Sequence, residues 1–152
     1  MWSYYAGSHT GVCMHIDSTI APFGAAFKVL YEDEYPFLPQ PMAGLDPLTV
    51  IQQCLLIKAK AWEHENEYRL IDIPNYDGRS WVLDPPITVR RAGQLITFRS
   101  KHLVGLSCGA RMKDDAIERL ARICTDRNPR IPIWQARIAK YRFELEFAEI
   151  RG

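Results

Sequence analysis

At 152 residues and 47% hydrophobic content, the chain can bury an apolar core without disulfides or metals, which excludes wholesale disorder. No apolar run approaches the ~18 residues a membrane helix needs, and no basic segment leads into an apolar one at the start. The sequence therefore points to the cytoplasm and away from membranes, despite a net charge of only +1.

"HTGVCMHID" over 9–17 alternates with period two, placing Val12, Met14 and Ile16 on one face and Gly11, Cys13 and His15 on the other. So little polar surface predicts a central strand. "AFKVLYE" over 26–32 is a second strand, with Phe27, Val29 and Tyr31 together. The proline-rich "YPFLPQPMAGLDP" is a loop or lid. Asp46 and Pro47 open a helix running to about Trp62, with Leu48, Ile51, Leu55 and Trp62 on its inner face. "EYRLIDI" over 67–73 returns to strand pattern, and further strands fall near 79–83, 94–99 and 102–109.

Asp114 or Asp115 caps a second helix, whose inner face is Ile117, Leu120, Ala121 and Cys124. "TDRNP" stops it. The last two strands form a hairpin turning near Lys140, with Phe143, Leu145 and Phe147 on one face and Arg142, Glu144 and Glu146 on the other. The expected fold is α+β, a mixed or mostly antiparallel sheet with two helices, in a single domain spanning 1–152.

Two features bear on partners. Cys13, Cys54, Cys108 and Cys124 form no C-x-x-C pair, so they read as buried or half-buried thiols of a reducing compartment, with no metal site implied. Charge is uneven: residues 1–84 hold eleven Asp/Glu and five Lys/Arg, and residues 85–152 hold seven and fourteen. Between 85 and 113 lie Arg90, Arg91, Arg99, Lys101, Arg111 and Lys113, with no acid among them. Such asymmetry can mark a polyanion site; the favoured reading is two halves that neutralise each other within one domain.

The densest polar stretch is "AWEHENEYRL", 61–70. On an extended chain Glu65, Glu67 and Arg69 share one side, and Tyr68 and Leu70 pack on the other. One reading is a glutamate–arginine pair on a strand edge. The other is a carboxylate held by an arginine at the mouth of a cleft, placed to orient a hydroxyl or stabilise a developing cation.

The opening "MWSYYAGSHTGVCMHID" resembles the W-x-x-Y-x-x-x-H-x-G-V/I-C motif of a bacterial family known as domain of unknown function 2971, through Trp2, Tyr5, His9, Gly11 and Cys13. Val29 and Tyr31 match its V-x-Y element. Lys58, Trp62, Glu65, Glu67 and Arg69 match its K-x-x-x-W-x-x-E-x-E-W/Y-R signature. The family's usual front segment, with an F-N-D-P-F/W-E-like element, does not precede these motifs. The resemblance therefore implies the C-terminal part of a longer domain; a further reading is an interaction or regulatory remnant, whose truncated edge would pair with another chain.

The order His9, Tyr31, Glu65/Glu67 resembles the His–Tyr–Glu arrangement of ADP-ribosyltransferases. That resemblance implies NAD as substrate: His9 on the ribose, Tyr31 stacked on nicotinamide, and Glu67 on a ribose hydroxyl with Glu65 beside it. Arg69 orients the pair or meets a phosphate, and Lys58, Trp62 and Tyr5 complete the substrate-binding set. The bland readings are a structural His9, a packing Tyr31, a core Trp62 and a Lys58 that pairs with a nearby acid. Two alternatives use other chemistry. One is a nucleotide- or nucleic-acid-binding module built on the 85–113 stretch, with Phe98 and His102 as stacking groups. The other is a metal-dependent phosphodiester hydrolase using Glu65, Glu67 and Lys58.

Overall fold

A computed structural model describes residues 1–20, 23–37, 44, 47–71, 91–92, 95–96, 98–127 and 129–150. In chain order the elements are α1 (Trp2–Tyr5), β1 (Val12–Ile16), β2 (Phe27–Lys28), β3 (Leu30–Glu32), α2 (Pro47–Leu55), β4 (Ile57–Ala59), β5 (Tyr68–Arg69), β6 (Arg91–Ala92), β7 (Leu95–Ile96), β8 (Leu103–Cys108), α3 (Asp114–Asp126), β9 (Ile133–Ile138) and β10 (Leu145–Glu149). Short 3-10 helices add to these, among them Lys60–Glu65 between β4 and β5. The class is α+β, as expected. Contacts gather the chain into two compact units, one of residues 1–20 and 89–152 and one of residues 21–88.

The first unit is a four-stranded sheet in the order β1-β8-β9-β10, antiparallel except for the parallel pair β8–β9. The apolar run 103–108 is its central strand, buried from Gly105 onward. Helix α3 covers one face, and Leu106, Cys108, Ile117, Cys124, Ile131 and Ile133 form the core. The predicted inner face of α3 is thus the observed one. Its cap is not: the helix begins at Asp114 after Lys113, with no side-chain cap bond. Both aspartates lie inside the first turn, where they complement the helix dipole.

Strand β1 occupies an edge of the sheet, not its centre. Val12, Cys13 and Met14 are exposed, because among the described residues β1 pairs only with β8. The hairpin β9–β10 forms as predicted, but its apolar face does not pack throughout: Phe143 is fully exposed and Phe147 about half exposed. Two glycines are demanded by close approach. A Cβ at Gly109 would stand 2.1 Å from the His9 carbonyl oxygen, and one at Gly105 would stand 2.6 Å from the Trp134 ring.

The second unit holds β2 paired antiparallel with β5, and β3 paired parallel with β4. The predicted strand 26–32 is broken at Val29 because the backbone changes partner there. Val29 N–H donates to Glu67 O at 3.0 Å, and Leu30 N–H donates to Leu56 O at 2.7 Å. Its side-chain alternation survives the break: Val29 is buried, while Lys28, Leu30 and Glu32 are exposed. The helix expected to reach Trp62 stops at Leu55, whose side chain is exposed rather than inward. Leu56 is then buried, and Ile57–Ala59 is taken by β3 as a parallel strand. Tertiary pairing there outweighs the helical spacing. Asp46 and the strand expected near 79–83 lie outside the described residues. Among the described residues no helix is long and apolar enough to cross a membrane.

Candidate functional site

The polar stretch 58–69 folds back on itself through one residue. Asn66 takes left-handed backbone angles, φ 46 and ψ 51, at the end of the 3-10 turn. Asparagine tolerates this region better than most side chains. The reversal sends the chain from Glu65 directly into β5, so both glutamates meet Lys58, which stands on β4 directly across from Tyr31.

Lys58 Nζ donates to Glu65 Oε2 and, at 2.9 Å, to Glu67 Oε2. Arg69 donates from Nε to Glu67 Oε1 at 2.6 Å and from its Nη2 to Oε2 at 3.2 Å, a bidentate fork. The remaining arm of the fork reaches Leu55 O at the end of α2. Tyr31 joins through its hydroxyl oxygen, which accepts the Glu67 amide N–H at 2.8 Å. Trp62 lies alongside, with Lys58 Nζ 5.3 Å from its ring centroid. The Glu65 side chain is 5% exposed and that of Glu67 28%.

Two cations and two carboxylates balance in this cluster. The Arg69 and Lys58 hydrogen bonds hold the Glu67 carboxyl far below its ordinary 4.5, at about 2. Bonds to Glu65 and then Glu67 raise Lys58, and the bond to Glu67 raises Arg69. Glu67 is therefore a permanent anion near neutral pH and carries no proton for general acid catalysis. Oε2 accepts two donors and Oε1 one, which leaves an acceptor site on Oε1 at a partly exposed carboxylate.

Glu65, Glu67 and Arg69 converge as the sequence suggested, but the faces are assigned the other way. Glu67 and Arg69 are the half-buried positions of the strand, whereas Tyr68 and Leu70 are 57% and 42% exposed. The ion cluster, not the apolar pair, faces inward. Trp62 sits on a 3-10 turn rather than a helix face.

Tyr31, Lys58, Trp62, Glu65, Glu67 and Arg69 all belong to the second unit, and His9 and Tyr5 to the first. His9 does not open a strand. It follows Gly7 and Ser8 in a run of left-handed residues, with φ of 55, 55 and 71. Its carbonyl accepts the Arg111 N–H at 2.9 Å, its ring stacks with Trp2 at 6.5 Å between centroids, and its buried Nδ1 has no hydrogen-bond partner. Tyr5 is 67% exposed.

An open hollow lies just beyond Tyr31, lined by Glu32, Asp33, Glu34, Pro36, Gln53 and Ile57. Sequence reading passed over it, since "EDE" looks like a solvated turn and nothing local brings Gln53 and Ile57 to it. The basic stretch meets a different fate. Arg99 and Lys101 precede β8, and Arg111 and Lys113 follow it, so about 17 Å of strand separates the two pairs. Arg90 lies outside the described residues. Cys108 and Cys124 are buried and Cys13 and Cys54 exposed, all four as free thiols. Among the described residues no three His, Cys, Asp or Glu side chains gather to hold a metal ion. No family model, curated protein or solved structure matches this chain.

Proposed function

We propose that the second unit carries an NAD-cleaving site of the ADP-ribosyltransferase type, in a cytoplasmic protein related to the bacterial family whose motifs it resembles. The observation that carries the reading is the convergence of Tyr31, Glu65, Glu67 and Arg69 around Lys58. Breaking the bond between nicotinamide and ribose sends the electron pair out with nicotinamide and leaves positive charge on the ribose, until a nucleophile, water or a target side chain, bonds to that carbon and gives up its proton. A carboxylate that stays ionised and rigid stabilises that charge without reorganising. Glu67 meets both conditions, because two cations hold it and its proton affinity is low. Its remaining Oε1 acceptor site suits a ribose hydroxyl. The neighbouring hollow, lined by Glu32, Asp33 and Glu34, suits a cationic pyridinium ring. Arg69 is a positioning residue, since its fork is spent on Glu67 and on the end of α2.

Thermal unfolding of the chain with millimolar NAD, followed by assay of released nicotinamide, tests the reading. NAD at ~100 times its dissociation constant stabilises by about 2.7 kcal/mol. Glu67→Gln keeps the shape of the side chain and removes the charge, and lowers nicotinamide release by about 10²–10³-fold. Release at the wild-type rate by Glu67→Gln, or unfolding indifferent to NAD, overturns it.

A further inference from the structure

The tip of the β9–β10 hairpin carries a side-chain pattern that neither packing nor the ion cluster uses. Between Ile138 and Leu145 the chain reads Ala139, Lys140, Tyr141, Arg142, Phe143, Glu144. Tyr141 is 87% exposed, and Phe143 is exposed beyond its free-chain reference at 115%. Both rings stand in water although the core of the same unit is apolar. A hairpin gains no stability from rings held this way, and a polar tip would serve the turn better.

Cations alternate with the rings. Lys140 Nζ sits 5.3 Å from the Tyr141 ring centroid, which leaves the opposite face of that ring open. Arg142 meets Glu144 at 3.1 Å with both side chains well exposed, a pairing that a phosphate displaces at little cost. Arg137 is exposed on β9 just below the tip. The unit as a whole is cationic, since residues 1–20 and 89–152 hold fourteen Lys/Arg against eight Asp/Glu.

We propose that this tip, residues 138–143, is a docking finger for single-stranded nucleic acid: bases stack on Tyr141 and Phe143 while Lys140 and Arg142, with Arg137 just below them on β9, meet phosphates. Flat rings alternating with cations match a polymer in which flat bases alternate with anions, and such stacking is tolerant of sequence. An anionic bilayer is the poorer partner. Sinking Phe143 into hydrocarbon would draw Arg142 and Glu144 on either side of it out of water, at a cost that one ring does not offset. The finger lies outside the unit that holds the glutamate cluster and stands or falls independently of the NAD reading.

Fluorescence anisotropy of a labelled oligothymidylate of about twelve nucleotides, titrated with the full chain, provides the test. Tyr141→Ala and Phe143→Ala each weaken binding by about tenfold or more. Their melting temperatures match the wild type, because the removed atoms are exposed. Lys140→Ala lowers the slope of log affinity against log salt by about 0.7. Three results overturn the proposal: no oligonucleotide binding, binding that the double variant Tyr141→Ala/Phe143→Ala leaves unchanged, or binding to phosphatidylserine vesicles but not to the oligonucleotide.

Discussion

Acid strips stability from this protein through Glu67. Its carboxyl titrates at about 2 in the folded chain against an ordinary 4.5. A depressed carboxyl contributes stability that is complete above the unfolded value and is lost as pH falls through the folded one. At 1.36 kcal/mol per pH unit the shift caps the contribution at ~3 kcal/mol. The Glu67 side chain is 28% exposed, and solvent screening brings the expected figure to about 1–2 kcal/mol. Lys58 moves the opposite way: its raised value contributes below 10.5 and fades only at high pH, so it adds nothing to an acid titration. Urea unfolding of wild type and Glu67→Gln, measured at about pH 6 and about pH 2.5, isolates the carboxyl. Wild type loses about 1–2 kcal/mol more than the variant between the two conditions. Parallel losses in the two proteins would mean that the ion cluster does not hold Glu67, and the account of the site would fail with it.

Two further perturbations probe the frame around the site. Asn66→Val places a β-branched side chain in the left-handed region and costs about 1–2 kcal/mol, while Asn66→Gly stays within a few tenths; equal losses in thermal unfolding would deny the backbone reversal its role. Gly109→Ala drives a Cβ against the His9 carbonyl, which is backbone and cannot swing aside, and costs about 1–3 kcal/mol by urea unfolding. A neutral Gly109→Ala would mean that the turn carrying His9 is not clamped to the end of β8.

How much of this was legible beforehand can be followed through single elements. The α+β class, a strand over 102–109, the inner face of α3 and the final hairpin all follow from local pattern, because one packed neighbour suffices to explain each. The shared side of Glu65, Glu67 and Arg69 also follows from their spacing, although the structure brings them together through the Asn66 reversal and not along an extended chain. Local pattern could not say which side of 67–70 turns inward, since alternation is the same whichever face is buried. It could not end α2 at Leu55, because the partner that claims Ile57–Ala59 as strand is β3, some 25 residues earlier. Nor could it place β1 at an edge, because VCMHI reads as buried whether one neighbour or two flank it.

Sequence by itself therefore determined the class, the periodic elements and the cast of charged side chains between 58 and 69. Tertiary structure decided which of them meet. Lys58 finds two carboxylates because Asn66 reverses the backbone, and Tyr31 finds the Glu67 amide because Val29, two residues before it, bonds the Glu67 carbonyl. It also set His9 and Tyr5 in one compact unit and the glutamate cluster in the other. The physical reason is range: propensity and alternation act over a few residues, whereas a hydrogen bond between positions 31 and 67 exists only after the chain has folded.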